Sequence, residues 1–258
     1  MPPTSDSTRR FSSRVDNYAR YRPSYAQAAI DLLRTRCGLS PGAAVADVGS
    51  GTGILTEQLL ARGARVFAVE PNDGMRGAAE ARLGDRAGFH STPGTAEATS
   101  LAAESVDLYV AGQAFHWFAP ATARVEARRI VKRGGCGALL WNEHPPAGSA
   151  FLAEYQELLL RCASEFEGIA ARRSDEPAMR EFFGGAMECA TFDNPQAYGF
   201  EALRGRLMSS SYAPEPGHPQ HEPLMAGLRA LFDAHARDGV VEFPYRTLVY
   251  FAQLKDSG

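Results

Sequence analysis

Short apolar runs alternate with amphipathic stretches along the first part of the chain. The apolar runs predict β-strands at residues 43–48, 66–69, 87–91, 106–112 and 137–141. Beside them, apolar side chains recur every three or four positions, which is the spacing of the buried face of a helix. This spacing predicts helices near residues 26–36, 54–63, 73–83, 119–131 and 151–162. Five strand–helix units in a row are typical of an α/β fold with a doubly wound parallel sheet.

Beyond residue 163 the pattern is weaker but still indicates further elements. It predicts a sixth strand at 186–192, helices at 201–208 and 224–235, and a long final strand at 240–254. Residues 248–252 are apolar on both faces, as expected for an interior strand. Pro244 lies near the beginning of this strand, where a missing N–H donor is tolerated.

Local signals also predict where two helices begin and end. Asp73 is expected to be the N-cap of the helix that follows it, because its side chain can accept hydrogen bonds from the first turn. The glycines within residues 132–135 are expected to end the helix at 119–131.

A glycine-rich turn joins the first strand to the helix after it. Gly49, Gly51 and Gly53 follow Asp47, and Glu70 comes about 20 residues later at the end of the second strand. An acidic residue at that place can bind both hydroxyls of a ribose. The spacing is Gly-x-Gly-x-Gly, not the dinucleotide Gly-x-Gly-x-x-Gly. Either Asp47 or the carbonyls at the end of the strand can accept hydrogen bonds from an ammonium group. This arrangement favours an adenosine cofactor that has an amino-acid tail.

The stretch 45–75 resembles motif I and the acidic loop of class I S-adenosylmethionine-dependent methyltransferases. The resemblance implies a Rossmann-like sheet of seven strands in the order 3-2-1-4-5-7-6, with the last strand antiparallel and helices on both faces. It also implies S-adenosyl-L-methionine as cofactor and S-adenosyl-L-homocysteine as product. The residues expected at the cofactor are Tyr18, Arg22, Asp47, Gly49, Ser50, Gly51, Gly53, Glu70, Pro71, Met75, Thr95, Ala96 and Gln113.

Three further segments resemble type 11 methyltransferases, and in particular the group of trans-aconitate methyltransferase. They are the Tyr-x-x-x-Arg-Pro pattern that begins at Tyr18, the His-Trp-Phe run at 116–118 and the serine–tyrosine segment at 209–212. The first implies an N-terminal helical lid, although Arg22 could equally be a solvated arginine. Thr95 stands where this family usually has an aspartate, which leaves the backbone of Ala96 to contact the adenine.

The resemblance implies one methyltransferase domain at residues 11–258, after a disordered start at 1–10. We expect a lid at 11–40, a cofactor-binding half at 41–145 and a C-terminal half with substrate-cap helices at 146–258. Met75 would lie against the adenine or simply pack in the core.

Residues after the fourth strand are candidates for contact with the methyl acceptor. His116 could be a general base, because its ordinary pKa of about 6.5 suits neutral pH, or it could only shape the pocket floor. Phe115, Trp117 and Tyr212 would form an apolar wall around a small molecule. Arg22 would bind a carboxylate that belongs either to the cofactor or to the substrate. A carboxylic acid or another oxygen acceptor is the favoured substrate, and a carboxylate needs no base.

Composition limits which binding partners and which cellular compartment we expect for this protein. The net charge is −3 and the isoelectric point about 6.1, which disfavours nucleic acid as a partner. The four cysteines show neither metal-binding nor disulfide spacing, and the N-terminus has no signal-peptide pattern, so we expect a cytoplasmic protein without a metal. No segment approaches the roughly 20 apolar residues of a membrane span. A monomer and a homodimer are both compatible with the sequence.

Two other functions remain open from sequence. The first is a protein that binds S-adenosylmethionine without catalysis. The second is an NAD-dependent dehydrogenase, which the glycine spacing and the lack of a Tyr-x-x-x-Lys pair disfavour.

Overall fold

A mixed sheet of seven strands forms the centre of the computed structural model, which describes residues 21–145, 148–163, 175–210 and 212–255. The strands are β1 (Ala44–Val48), β2 (Arg65–Val69), β3 (Phe89–Thr92), β4 (Val106–Gly112), β5 (Val131–Glu143), β6 (Glu188–Asp193), β7 (Gln196–Tyr198), β8 (Val241–Phe243) and β9 (Arg246–Gln253). The helices of the described residues are α1 (Gln27–Arg36), α2 (Ile54–Leu60), α3 (Asp73–Leu83), α4 (Pro120–Ile130), α5 (Ala150–Cys162), α6 (Glu176–Phe183), α7 (Phe200–Met208) and α8 (His221–His235).

The order of strands in the sheet is β3-β2-β1-β4-β5-β9-β6. The pairs among β1 to β5 are parallel, whereas β9 is antiparallel to both of its neighbours, β5 and β6. Since β9 is the seventh strand of this sheet along the chain, the predicted order 3-2-1-4-5-7-6 with an antiparallel last strand is confirmed. The predicted interior position of residues 248–252 is confirmed with it.

Helices cover both faces of the sheet, and β1 shows this most clearly. Val45 packs in one cluster with residues of α1 and α2, whereas Ala44, Ala46 and Val48 pack in a second cluster with α4 and α6. All five residues of β1 are buried for this reason. Helix α1 belongs to the predicted lid segment at 11–40, yet its apolar side chains are part of the first cluster.

The predicted end of the fourth helix agrees within one residue, but the stop signal assigned to residues 132–135 is wrong. Helix α4 ends at Ile130, and the backbone of Val131 is already extended, so residues 132–135 belong to the strand β5. The register with β4 shifts between Val106, which pairs with Val131, and Leu108, which pairs with Cys136. Gly134 has a φ of 76° within this irregular stretch. The glycines therefore form a bulge inside a strand, which local sequence signals do not distinguish from a helix stop.

Two other local predictions need correction. The N-cap of α3 is Asn72, whose side chain accepts a hydrogen bond from the backbone N–H of Met75, and Asp73 is the first helical residue. The predicted final strand is broken at Pro244 into β8 and β9. Strand β8 pairs with β7 in a separate two-stranded sheet because Pro244 cannot continue the ladder.

The C-terminal elements form a third hydrophobic cluster, which we call the cap. It contains apolar residues of α5, α7, α8 and the β7–β8 sheet, among them Tyr155, Leu203, Tyr212 and Phe243. Tyr245 follows β8 and belongs to the same cluster. Within the described ranges, no helix has both the length and the apolar character that a membrane crossing requires.

Candidate functional site

An open cleft lies at the carboxyl ends of β1 and β4, with a volume of about 600 Å³ that includes space open to solvent. The chain leaves these neighbouring strands towards opposite sides of the sheet, and ligands of doubly wound proteins bind at such a point. The residues that line the cleft are Arg22, Pro23, Tyr25, Asp47, Gly49, Ser50, Gly51, Ile54, Leu55, Gly112, Gln113, Asn142, Arg206 and Tyr245. The cleft thus brings together Arg22, Asp47, the first two loop glycines, Ser50 and Gln113 among the predicted cofactor residues.

The three glycines of the loop between β1 and α2 have different structural roles. All have positive φ, with values of 69° at Gly49, 56° at Gly51 and 82° at Gly53. A Cβ on Gly49 would lie 2.5 Å from the Cβ of Ala114, and one on Gly53 would lie 2.7 Å from Leu83. At Gly51 the same position has no heavy atom within 4 Å. Gly49 and Gly53 therefore allow close packing, whereas Gly51 keeps the floor of the cleft open to a ligand.

Asp47 places a carboxylate beneath this loop. Its side chain is buried, and Oδ2 accepts a hydrogen bond of 2.6 Å from the hydroxyl of Thr56. The other oxygen, Oδ1, is buried and has no hydrogen-bond partner among the described residues. Burial raises the pKa of Asp47 to about 7, and the nearby carboxylate of Glu70 also raises it. An ammonium group would satisfy Oδ1 and stabilise the ionised form.

Glu70 is held at the tip of β2 by backbone amides. Oε2 accepts a hydrogen bond of 2.9 Å from the N–H of Gly51, and Oε1 accepts one of 2.8 Å from Asn72. Burial raises the pKa of this carboxyl, while the two amides lower it. Each oxygen has further lone pairs that can accept from ribose hydroxyls.

The loop after β4 is fixed by hydrogen bonds in a strained conformation. Gln113 has a φ of 56°, which is uncommon for a residue with a side chain. Its N–H donates to the carbonyl of Leu140 at 2.9 Å, and its side-chain amide donates to the carbonyl of Asn142 at 2.9 Å. A Cβ on Gly112 would lie 2.4 Å from the hydroxyl oxygen of Tyr25. Gly112 therefore allows Tyr25 to cover the end of β4.

The chain segment that precedes α1 closes one side of the cleft. The backbone of Tyr25 exchanges two hydrogen bonds with the side chain of Gln58, at 2.9 and 2.7 Å. The amides of Asn142 and Asn194 donate to the carbonyl of Ser24 at 3.1 and 2.7 Å. These bonds tie the segment to the carboxyl ends of the strands.

Arg22 of this segment reaches across to the cap. Its guanidinium donates to the hydroxyl of Ser209 at 2.9 Å and to that of Ser210 at 3.3 Å. The two serines belong to the predicted serine–tyrosine segment, so the structure brings these two sequence motifs together. Tyr18 and Ser211, which belong to the same motifs, lie outside the described residues.

Several predicted site residues lie elsewhere. Phe115 is in the second core cluster, where its ring makes edge contacts with Phe118, Trp141 and Phe182. His116 and Trp117 form a 3₁₀ turn with their ring centroids 4.8 Å apart. The other predicted residues that are absent from the cleft lining are Gly53, Glu70, Pro71, Met75, Thr95, Ala96 and Tyr212. Their contacts with a ligand stay predictions.

Met75 and Ala96 are buried, and Pro71 and Thr95 are exposed. The hydroxyl of Thr95 accepts a hydrogen bond of 3.2 Å from the N–H of Ala98. Tyr212 is a residue of the cap cluster. Met75 is thus buried, and whether it also contacts an adenine stays a prediction.

Arg206 and Tyr245 are cleft residues that sequence reasoning missed. Arg206 lies on α7. Leu203 precedes it by three positions and Leu207 follows it directly, so Arg206 is part of the buried apolar face of that helix. An arginine on the apolar face of a helix is the sequence signal that could have marked Arg206 as a functional residue. Tyr245 gave no signal, because it lay within what looked like a continuous strand.

Comparison with known proteins agrees with this geometry. Residues 46–139 match a family whose description is methyltransferase domain. This matched stretch contains the glycine loop, Asp47, Glu70 and Gln113. S-adenosylmethionine is the cofactor. The expected cofactor is thereby confirmed, whereas the finer resemblance to trans-aconitate methyltransferases stays a prediction.

Individual relatives extend the comparison. An uncharacterized methyltransferase of Mycobacterium tuberculosis is 42% identical over 134 residues, and the match covers 51% of each protein. The chain therefore spans about half the length of the curated relatives it matches. A structure provisionally described as a type II methyltransferase from Anaeromyxobacter dehalogenans has a TM-score of 0.61 at 21% identity, over 92% of this chain and 99% of that one.

A Haemonchus contortus N-methyltransferase, whose structure holds S-adenosylhomocysteine, has a TM-score of 0.59 at 13% identity. The match covers 98% of this chain and 59% of that one. At such identities these structures show a shared overall fold and nothing more.

Proposed function

We propose that this protein transfers a methyl group from S-adenosylmethionine to a small molecule. The observation that carries the proposal is the buried Oδ1 of Asp47, which has no hydrogen-bond partner among the described residues although Asp47 lines the same cleft as Gly51. A buried carboxylate oxygen is costly without a donor, and the ammonium of the cofactor's amino-acid tail is such a donor.

The residues of the loop fit this cofactor better than they fit a dinucleotide. Asp47 would accept from the ammonium, Glu70 would accept from the ribose hydroxyls, and Gly51 would leave room between them. A pyrophosphate at the same place would be repelled by the carboxylate of Asp47. When it is bound, the cofactor supplies an electrophilic methyl group on a sulfonium.

The rest of the cleft supports a small acceptor. The cap and the segment around Arg22 restrict access from two sides, which would exclude water and orient the acceptor. A carboxylate acceptor would need no base, and the role of His116 stays a prediction.

The experiment is incubation of the purified protein with methyl-labelled S-adenosylmethionine and a panel of small carboxylic acids, phenols and amines. We expect label in one class of acceptor and an equal amount of S-adenosylhomocysteine. The matched control is Asp47→Asn, which keeps the shape of the side chain but removes its charge. Tight cofactor binding without transfer to any acceptor would favour the alternative of a binding protein without catalysis.

A further inference from the structure

Arg206 is a buried cation at the boundary between the cap and the cleft. Its side chain lines the cleft, and the residue is only 4% exposed. Leu203 and Leu207 on the same helix are fully buried in the cap. A guanidinium in such surroundings loses most of its hydration, which is costly unless opposite charge compensates for it.

No carboxylate of the described residues pairs with Arg206. Its Nε donates to the hydroxyl of Tyr245 at 2.5 Å, and its Nη1 donates to the hydroxyl of Tyr155 at 3.1 Å. The guanidinium carbon lies 4.4 Å from the centroid of the Phe243 ring. Neutral hydroxyls and an aromatic face stabilise a cation, but they do not neutralise it.

Some N–H groups of the Arg206 guanidinium are left to donate hydrogen bonds to a ligand. A guanidinium has five N–H groups, and the contacts to Tyr245 and Tyr155 use one from Nε and one from Nη1. Nη2 makes no hydrogen bond with any described residue, although the side chain lines the cleft. Nearby, the hydroxyl of Tyr198 is also buried and has no hydrogen-bond partner in the described parts of the chain.

The charges in the cleft point to a ligand that is negative. Among its described lining residues, Arg22 and Arg206 are the cations and Asp47 is the acidic side chain. S-adenosylmethionine would add a sulfonium and an ammonium, and its one carboxylate can neutralise only one of these cations. Glu70, which we expect at the ribose, adds a second negative side chain, so the two arginines and the two carboxylates balance. The sulfonium of S-adenosylmethionine then leaves the loaded site with a net positive charge until an anionic acceptor enters.

We propose that Arg206 binds an oxyanion of the methyl acceptor, either a carboxylate or a phosphate, and thereby selects acidic substrates. This inference rests on the proposed function and adds a substrate class to it. The planar fork of arginine binds two oxygens of such a group at once. Tyr155 and Tyr245 act as positioning residues, because their hydroxyls fix the guanidinium plane.

The test is calorimetric titration of the complex with S-adenosylhomocysteine, using malonate and inorganic phosphate as separate probes. Arg206→Met removes the charge while keeping an unbranched apolar chain that suits the cap. We expect it to weaken binding of the preferred probe by about tenfold or more. The matched control is Arg204→Met on the same helix, whose side chain is exposed and pairs with Glu201. This control should bind the probe like the wild type.

Malonate binding without phosphate binding would assign a carboxylate, and the reverse would assign a phosphate. Equal affinity of Arg206→Met and the wild type, or no binding of either probe to the wild-type complex, would overturn the inference. If Arg206→Met does not fold, Arg206→Lys keeps the charge but loses the fork, and undiminished affinity in that variant would overturn it too. Affinity for S-adenosylhomocysteine should be the same in all variants as in the wild type. A wild-type protein that does not bind S-adenosylhomocysteine would contradict the proposed function and not this inference alone.

Discussion

Replacement of Asp47 by asparagine should change both the affinity for the cofactor and its dependence on pH. Asparagine keeps an oxygen that can accept from Thr56 but cannot pair with an ammonium as a charge. A hydrogen bond to a charged group contributes about 1.5–3 kcal/mol, which corresponds to about 10–150-fold in Kd. We therefore expect Asp47→Asn to weaken binding of S-adenosylhomocysteine by that factor above pH 8.

The pH dependence follows from the raised pKa of about 7 at Asp47. The ammonium binds the ionised carboxylate, so affinity should be greatest well above pH 7 and should fall below it. One unit below the pKa, only about a tenth of the carboxyl is ionised, and the wild-type Kd should be about tenfold higher than at alkaline pH. The Kd of Asp47→Asn should lack this change.

The free energy of unfolding should fall with rising pH, whereas affinity for the cofactor should increase. The unfolded Asp47 ionises near its ordinary pKa of 3.8, whereas the folded carboxyl keeps its proton up to about pH 7. Its contribution to the free energy of unfolding is therefore greatest at acidic pH and is lost as the pH rises towards 7. The melting temperature of Asp47→Asn relative to the wild type should rise between pH 5 and pH 8.

Calorimetric titrations with S-adenosylhomocysteine from pH 5.5 to 8.5 measure the binding effect directly. The matched control is Asp73→Asn, because the Asp73 side chain is 90% exposed and its carboxylate pairs with Arg76. This control should follow the wild-type curve. A wild-type Kd that does not vary with pH and equals that of Asp47→Asn would refute the role of Oδ1.

Three further substitutions test other parts of the site. Glu70→Ala should weaken cofactor binding by about 1–3 kcal/mol, because ribose hydroxyls lose a charged acceptor, and calorimetry would contradict this with an unchanged Kd. His116→Asn should leave the rate with a carboxylate acceptor within a factor of about two. A loss of two to four orders of magnitude at constant cofactor affinity would instead identify His116 as a general base. Gly205→Ala should lower the free energy of unfolding by about 1–3 kcal/mol, because the new Cβ would lie 2.1 Å from the ring of Tyr21. Gly77→Ala, on open helix surface, should not be destabilising in the same urea titration.

The sequence predicts the cofactor half of the fold well because the signals there are local. Strands β1 and β4 are buried apolar runs, and Gly49, Gly51 and Gly53 mark a turn whose conformation only glycine adopts easily. Asp47 and Glu70 sit at fixed distances from that turn along the chain. Short-range spacing therefore places these residues at one edge of the sheet.

The cap could not be predicted in the same way because its contacts are distant in sequence. Arg206 meets Tyr155 and Tyr245, which lie 51 and 39 residues away. Residues 240–254 look like one strand, and the break at Pro244 is decided by pairing of β8 with β7. Phe115 follows a ligand-facing strand, but its aromatic partners in the core determine where its ring lies.

The most direct test of the account is a parallel titration of the wild-type protein with S-adenosylmethionine and with NAD at pH 8. The geometry of Asp47, Gly51 and Glu70 predicts saturable binding of S-adenosylmethionine with one site per chain, and no measurable binding of NAD. Tight binding of NAD without binding of S-adenosylmethionine would contradict the central claim, because the cleft would then hold a pyrophosphate above the carboxylate of Asp47.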